Sequence, residues 1–306
     1  MMRKIILTVL LSAICIVNLR AQSATFTLTS YDAHSTSMAN SSVALYATPY
    51  AIWNNGASAL FSGESFQAGA SYGIWQPSQA DNRILSAAGY YKIGEKVAIS
   101  AGYRNFSYNP YDIFDDNGNI KSSFTPSEME ISAGLSYKLL PVMGLYANVN
   151  YISSLLGSKN SATSIGADAG IYIDMKAMKI GLALVNIGGD LNYGTENSYP
   201  LPTMAKIGVS TTQIFDKNAI TGSIEGDYII SASSLALSLG VEYKWNKMLR
   251  INCGYHYGDK AGIPSYLSFG GGLDIAGIKL GAAYIIGTSE DSPINGSMMC
   301  TLAYSF

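Results

Sequence analysis

The sequence predicts an all-β fold, a transmembrane antiparallel barrel of about fourteen strands with an N-terminal plug segment. Three observations predict it. Apolar and small residues alternate along most of the chain with period two, the period at which successive side chains point to opposite faces of a strand. Charged residues make up only 13% of 306 residues, against about a quarter in ordinary soluble domains, while 31 Gly and 22 Tyr are present. Short and long connections alternate, which places the long ones together at one end of the strands.

The first element, residues 1–21, reads as a signal peptide. Arg3 and Lys4 form a positive start, Ile5 to Val17 an apolar core, and Ala21 the small residue before a cut at Gln22. Cys15 follows Ile14 where a lipoprotein needs a small residue, so it is expected to be discarded with that core. Beyond this segment no stretch reaches the roughly 20 apolar residues of a membrane helix. Cys253 and Cys300 remain, on strands not expected to be neighbours, so a disulfide is not expected. A net charge of −2 and the lack of a basic run with interleaved aromatics give no footing for nucleic acid.

The second element, residues 22–62, is too long for a tether. It carries Val43, Leu45, Ile52 and Trp53, residues that seek burial, and is expected to plug the barrel.

The third element, residues 63–306, is the barrel. Leu235, Leu237, Leu239, Val241 and Tyr243 alternate with Ala236, Ser238, Gly240 and Glu242; Met129, Ile131, Ala133, Leu135 and Tyr137 alternate with Glu130, Ser132, Gly134 and Ser136. Similar runs place strands at roughly 64–75, 83–91, 96–107, 128–139, 144–153, 163–174, 178–187, 203–213, 219–230, 233–243, 249–257, 266–275, 279–286 and 297–306. A soluble sandwich or propeller alternates too, but its outer face would be rich in Lys and Glu. Here the face opposite the apolar one is mostly Gly, Ala and Ser. A closed barrel in lipid accounts for this, because closure satisfies every backbone group and a lipid-facing Arg or Lys at mid-depth costs about 2–4 kcal/mol.

The short links are Ile93-Gly94-Glu95, Leu140-Pro141-Val142, Met175-Lys176-Ala177, Phe215 to Asn218, Lys244 to Lys247 and Ala276-Gly277; the long ones include 108–127, 188–202 and 287–296. Long loops then face outward from a Gram-negative outer membrane and tight turns face the periplasm. Tyr103, Tyr137, Tyr243, Tyr257 and Tyr304 stand where an aromatic girdle meets the headgroups, with Trp245 in a periplasmic turn.

The inward face carries Arg104, Glu130, Asp168, Glu225, Asp227, Glu242, Arg250 and His256 as polar lumen candidates. A hairpin pairing Tyr243 with Leu249 sets Glu242 opposite Arg250 as an ion pair and Ala236 opposite His256, which leaves that histidine without a polar partner on the neighbouring strand. These groups are either a substrate path or the paired polar groups that a barrel wall needs; the second reading is the plainer one. With two histidines, His34 and His256, no Ser-His-Asp set can be assembled, and an enzyme is not expected. No cofactor is expected. "DIFDDNGNIKSSF" fails as a calcium loop, since aligning Gly118 with the required glycine puts Ile113 and Phe124 where acids must stand. Asp116 to Asn119 reads as turn chemistry in an outer loop.

At the C-terminus, Met298, Cys300, Leu302, Tyr304 and Phe306 form the lipid face of a strand expected to close on the first one, leaving no open edge. The terminal pair Tyr304 and Phe306 resembles the signal by which outer-membrane barrels are recognised for insertion.

The plug segment and the strands together resemble the FadL-type family of long-chain fatty-acid transporter barrels. The resemblance is closer to the PorV/PorQ branch associated with type IX secretion, and it spans essentially the whole mature chain. It rests on the small-residue run "STSMANSSVA" leading to the hatch stretch Trp53-Asn54-Asn55-Gly56-Ala57-Ser58-Ala59-Leu60. Asn54 matches the asparagine of the family's Asn-Pro-Ala motif, and Asn55 replaces its proline. The resemblance implies a multi-pass protein of the cell outer membrane in contact with its lipid. Its modest outer loops favour the PorV/PorQ role, a non-enzymatic binding or shuttle component whose partners are secretion-system proteins and exported cargo. The alternative is a FadL-like channel for uptake of hydrophobic small molecules, with a hydrophobic ligand in the lumen.

Overall fold

The computed structural model describes residues 24–157, 160–258, 262–289 and 291–306; the signal-peptide expectation lies outside them. The strands are β1 (Phe66–Trp75), β2 (Asn82–Ile93), β3 (Val97–Ser107), β4 (Tyr111–Phe114), β5 (Ile120–Phe124), β6 (Ser127–Leu140), β7 (Met143–Gly157), β8 (Asn160–Met175), β9 (Met178–Gly188), β10 (Met204–Phe215), β11 (Asn218–Ile229), β12 (Ser234–Trp245), β13 (Leu249–Tyr257), β14 (Tyr266–Ile275), β15 (Ile278–Gly287) and β16 (Met298–Ser305). All but β4 and β5 join one closed antiparallel barrel of 14 strands in chain order. β4 and β5 form a separate hairpin in the outer loop that alternation alone left irregular, with Phe114 and Ile120 exposed.

β16 closes on β1 from Gln67↔Ser305 to Ile74↔Met298. Phe306 extends the seam: its N–H donates to the Phe66 carbonyl at 3.1 Å, its own carbonyl accepts from Ser65 and Phe66, and the two phenyl rings stack at 5.0 Å. Both edges of every barrel strand are thus paired, as a barrel in lipid requires.

The alternation maps onto two environments. Ile99, Ile131, Leu135, Ile165, Ile207, Ile224, Leu237, Leu239, Val241 and Ile251 point outward and are exposed, a continuous apolar belt that a soluble surface of this size would not carry. Tyr137, Tyr243, Tyr257 and Tyr304 are exposed near strand ends, whereas Tyr103 lies within β3, level with Ile131 of the belt. Cys253 and Cys300 are unpaired and also face out.

Two details depart from the sequence expectation. Trp245 is not in a turn but ends β12, pairing with Leu249 across a link of Asn246, Lys247 and Met248. Asn246 and Lys247 take left-handed conformations (φ 50° and 60°), so a three-residue link suffices and the register moves by two residues. On the outer side, β7 and β8 run on to Gly157 and from Asn160, so that link is much shorter than its neighbours.

Residues 24–62 fill the interior with helical turns at Thr25–Leu28, Ala33–Ser37, Ala51–Asn54 and Gly56–Phe61. Such short pieces leave many carbonyls unbonded, and a buried carbonyl without a partner is costly. The small polar residues of the inward face supply the partners. Ser86 donates to the Tyr31 carbonyl (2.7 Å), Ser268 to that of Ser37 (2.9 Å), Ser210 to that of Ala44 (2.7 Å), Tyr172 to that of Leu45 (2.9 Å) and Asn148 to that of Ile52 (2.6 Å). An inward face of Ser, Gly and Asn is therefore what a filled barrel needs.

Close approach explains the wall glycine Gly181. A Cβ there would run into the backbone carbonyl of Val43, which cannot swing aside as a side-chain end could. Gly181→Val is expected to weaken plug docking by about 1–3 kcal/mol, the usual cost of overpacking. Ion current across a planar bilayer, above the wild-type level, is the readout.

Candidate functional site

The predicted hatch stretch lies at the heart of the plug. Trp53 donates its indole N–H to Glu130 Oε1 (3.0 Å) and Ser132 Oγ (3.1 Å) on β6. Asn54 stays within the plug, donating to Ser35 Oγ and accepting from Ser42 Oγ. Asn55, which stands where the family has proline, does what proline cannot. Its side-chain amide donates to the Val43 carbonyl (3.2 Å) and to the Ile171 carbonyl on β8 (3.0 Å), while its Oδ1 caps the Ala57 N–H (3.2 Å). Gly56 faces Ser136 and Tyr146 on the wall.

The lumen candidates divide into separate clusters. Arg104 bonds Glu130 at 2.6 Å, and its guanidinium lies over the rings of Phe26 (5.8 Å), Tyr31 (4.8 Å) and Trp53 (5.1 Å), all plug residues. Asp168 accepts from Asn150 (2.8 Å) and from the Asn186 backbone N–H (2.8 Å) at a bulge in β9. Glu225 pairs with Lys206 (2.7 Å) and accepts from the Val43 N–H (2.6 Å), with Asp227 opposite Lys206 in register.

The expected Glu242–Arg250 pair does not form. The shifted hairpin sets Glu242 opposite Asn252 and Arg250 opposite Lys244. Glu242 instead receives His34 Nε2 (2.9 Å) and the Tyr46 hydroxyl (2.9 Å) from the plug, and Arg250 lies 3.4 Å from Asp274. The same shift corrects the environment of His256. It faces Ser238, whose Oγ is 2.8 Å from His256 Nδ1, and stacks on Tyr266 at 4.9 Å. Lys206 was legible as an inward residue of the alternating run Met204, Lys206, Gly208, Ser210. The plug groups His34 and Tyr46 had no such signal.

Three cavities follow one another along the plug. The outer one, 170 Å³, is lined by Phe26, Leu28, Trp75, Phe106, Tyr108 and Ile263, with Asn82 among its polar groups. Its wall shares Leu28 and Thr29 with a middle cavity of 40 Å³ beside Arg104, Asp168, Asn186 and Lys206. The middle one shares Asp32 and Tyr50 with an inner cavity of 320 Å³ at the periplasmic end. A cavity of about 150 Å³ holds a benzene-sized molecule and one of about 10–15 Å³ a single water. The outer cavity is therefore ring-sized, with aromatic and aliphatic side chains sharing its wall with Thr25, Thr29, Gln76, Asn82 and Tyr108, whereas the middle one is small and charged. Tyr108 donates to Glu128 at 2.6 Å, and burial pushes its hydroxyl far above the ordinary tyrosine range, so it stays protonated.

The same overall fold is found in solved proteins. The chain has the fold of the FadL-like outer-membrane barrels. It aligns with the toluene transporter TbuX of Ralstonia pickettii at a TM-score of 0.66 and 15% identity, over 92% of this chain and 99% of that one. For the toluene transporter TodX of Pseudomonas putida the values are 0.65, 15%, 94% and 99%. For a FadL homologue of Pseudomonas aeruginosa they are 0.56, 12%, 90% and 98%. TbuX and TodX are toluene transporters. No protein-family model matches the sequence, and no curated protein matches it. The likeness is one of fold; a likeness to the PorV/PorQ branch in particular has no counterpart among these neighbours.

Proposed function

We propose that the protein is a plugged outer-membrane channel for small hydrophobic molecules, and that the outer cavity is its first binding site. The observation that carries this reading is the match between a 170 Å³ space walled by Phe26, Trp75, Phe106 and Ile263 and the size of a single aromatic ring. The toluene transport performed by TbuX and TodX is in keeping with it. The small middle cavity blocks the axis, so onward passage of a ring requires the plug to move. Trp53, Asn54, Asn55 and Gly56 are the proposed hatch, held against the wall through Glu130 and Ile171. The charged lumen groups hold the plug in place and do no chemistry on the cargo.

A crystal exposed to toluene vapour tests the reading. A ring is expected between Trp75, Phe106 and Ile263, and an outer cavity still empty at saturation would overturn it.

A second reading, the binding of exported cargo, is favoured by one feature. The β4–β5 hairpin leaves Phe114 and Ile120 60% and 61% exposed beyond the barrel, where a partner protein could cover them. A surface proteome unchanged by removal of the hairpin would sink it.

A further inference from the structure

We propose that the periplasmic mouth of the barrel is a docking surface for the acidic face of a periplasmic protein. This inference goes beyond the channel reading and rests on it only for the outer-membrane placement, which sets the end with the short links in the periplasm.

Six strands carry an inward-facing cation next to the short links: Lys92 on β2, Lys138 on β6, Lys179 on β9, Lys244 on β12, Arg250 on β13 and Lys279 on β15. Each stands two residues from a lumen-facing wall position, as Lys138 does from Ser136 and Lys179 from Gly181, and so shares that face. The turns beyond add Lys96, Lys176, Lys217 and Lys247, all exposed, against Glu95 and Asp216. The acids of the rim itself are Asp174 and Asp274, with Glu64 from the end of the plug. The opposite end has the other sign. Among the described residues its loops carry Asp112, Asp115, Asp116, Asp190, Glu196 and Asp291 against Lys121, while Asp81 and Arg83 offset one another as a 2.8 Å pair. A chain whose net charge is only −2 is thus strongly polarised along the barrel axis.

Little of this positive charge is neutralised within the chain. Lys244 and Arg250 both lie on Asp274, at 2.6 and 3.4 Å, and Lys279 is 3.9 Å from Glu64. Lys92 donates to the Ser62 carbonyl at 2.5 Å and Lys138 lies 4.7 Å from the centre of the Phe61 ring, so these two grip the end of the plug without meeting a carboxylate. Among the described residues, Lys179 and the four turn lysines have no carboxylate within ion-pair distance either. Fourteen strands about 4.8 Å apart and tilted by about 40° make a mouth roughly 25–30 Å across. A small anion would touch one or two of these cations, whereas their spread from β2 round to β15 suits a macromolecule. The six ring cations turn into the mouth and away from the bilayer, so lipid headgroups are not the partner that fits them. A folded protein with an acidic face is, and complementary fields of this kind steer encounter and fix orientation.

The full chain in phosphatidylcholine nanodiscs tests this by fluorescence anisotropy. The probe is a labelled peptide of Glu-Glu-Ser-Ala repeats, about twenty residues long and so able to cross the mouth even as a helix; its control has Gln for every Glu. The acidic peptide is expected to bind, more weakly as salt rises, and the control is not. Changing Lys138, Lys179, Lys217 and Lys247 together to Gln is expected to weaken binding about tenfold or more, whereas the same four changed to Arg keep it. Arg83→Gln with Lys121→Gln, at the outer end, is expected to change nothing. Acetylation of the wild type, read by mass spectrometry, needs no variant: bound peptide is expected to shield Lys138, Lys179 and Lys247 but not Lys121. Absence of binding, or an equal loss in the outer-end variant, overturns the inference. So does shielding of the mouth lysines by phosphatidylglycerol nanodiscs without peptide, which would assign them to lipid. None of these outcomes touches the channel reading, which the toluene-exposed crystal decides.

Discussion

Arg104→Ala is expected to loosen the plug and let the barrel leak ions. Arg104 is buried, bonds Glu130 at 2.6 Å and lies against Phe26, Tyr31 and Trp53 of the plug. Its removal takes away the ring contacts and leaves Glu130 as a buried charge with only Trp53 and Ser132 as donors. Breaking a buried pair in this way costs about 3–5 kcal/mol. The wall carries Glu130, whereas the plug supplies the aromatic partners, so most of the loss falls on docking rather than on the strand ladder. Channel recordings in planar bilayers read the effect, with gel mobility confirming an assembled barrel. Arg104→Lys keeps the charge without the planar fork and is expected to fall between the two. A variant as silent as the wild type would mean that the plug is held elsewhere.

The second large effect is on the wall itself. Leu239 lies midway along β12, pairs with Ile224 and Tyr255, and faces out. At the middle of a bilayer Leu239→Arg is expected to cost about 2–4 kcal/mol of unfolding free energy, measured by denaturant titration in lipid vesicles. On the solvent face of a soluble sheet the same change would stay within about 0.5 kcal/mol. The two outcomes separate a lipid-facing belt from a water-facing one.

These predictions draw on features that were unequally visible in the sequence. The lipid face was legible because the pleat forces side chains to alternate and lipid admits few charges, so Leu235 to Tyr243 could be read one residue at a time. The seam between β1 and β16 was legible because a strand edge in lipid must be paired. The register of β12 against β13 was not. It depends on whether Asn246 and Lys247 adopt left-handed conformations, which Asn tolerates and Lys seldom does, and the difference moved Glu242 from Arg250 to His34 and Tyr46. Contacts between plug and wall were hidden for a related reason. His34, Tyr46 and Val43 meet Glu242 and Glu225 across some 180 to 210 residues of chain, and no local pattern records such a meeting. The ring-sized cavity arises where the start of the plug meets the ends of β1, β2 and β3. The sequence shows Trp75, Asn82 and Phe106 at strand ends but not that they face one another. The choice between cargo shuttle and channel rested on resemblance, and the cavity tips it toward the channel.

Uptake by intact cells tests the central claim most directly. Radiolabelled toluene, supplied at a concentration where entry through the outer membrane limits the rate, is followed in cells with and without the protein. Initial uptake is predicted to rise when the protein is present and to fall back in a Phe106→Asp variant that assembles but charges the outer cavity. Equal rates with and without the protein would contradict the account.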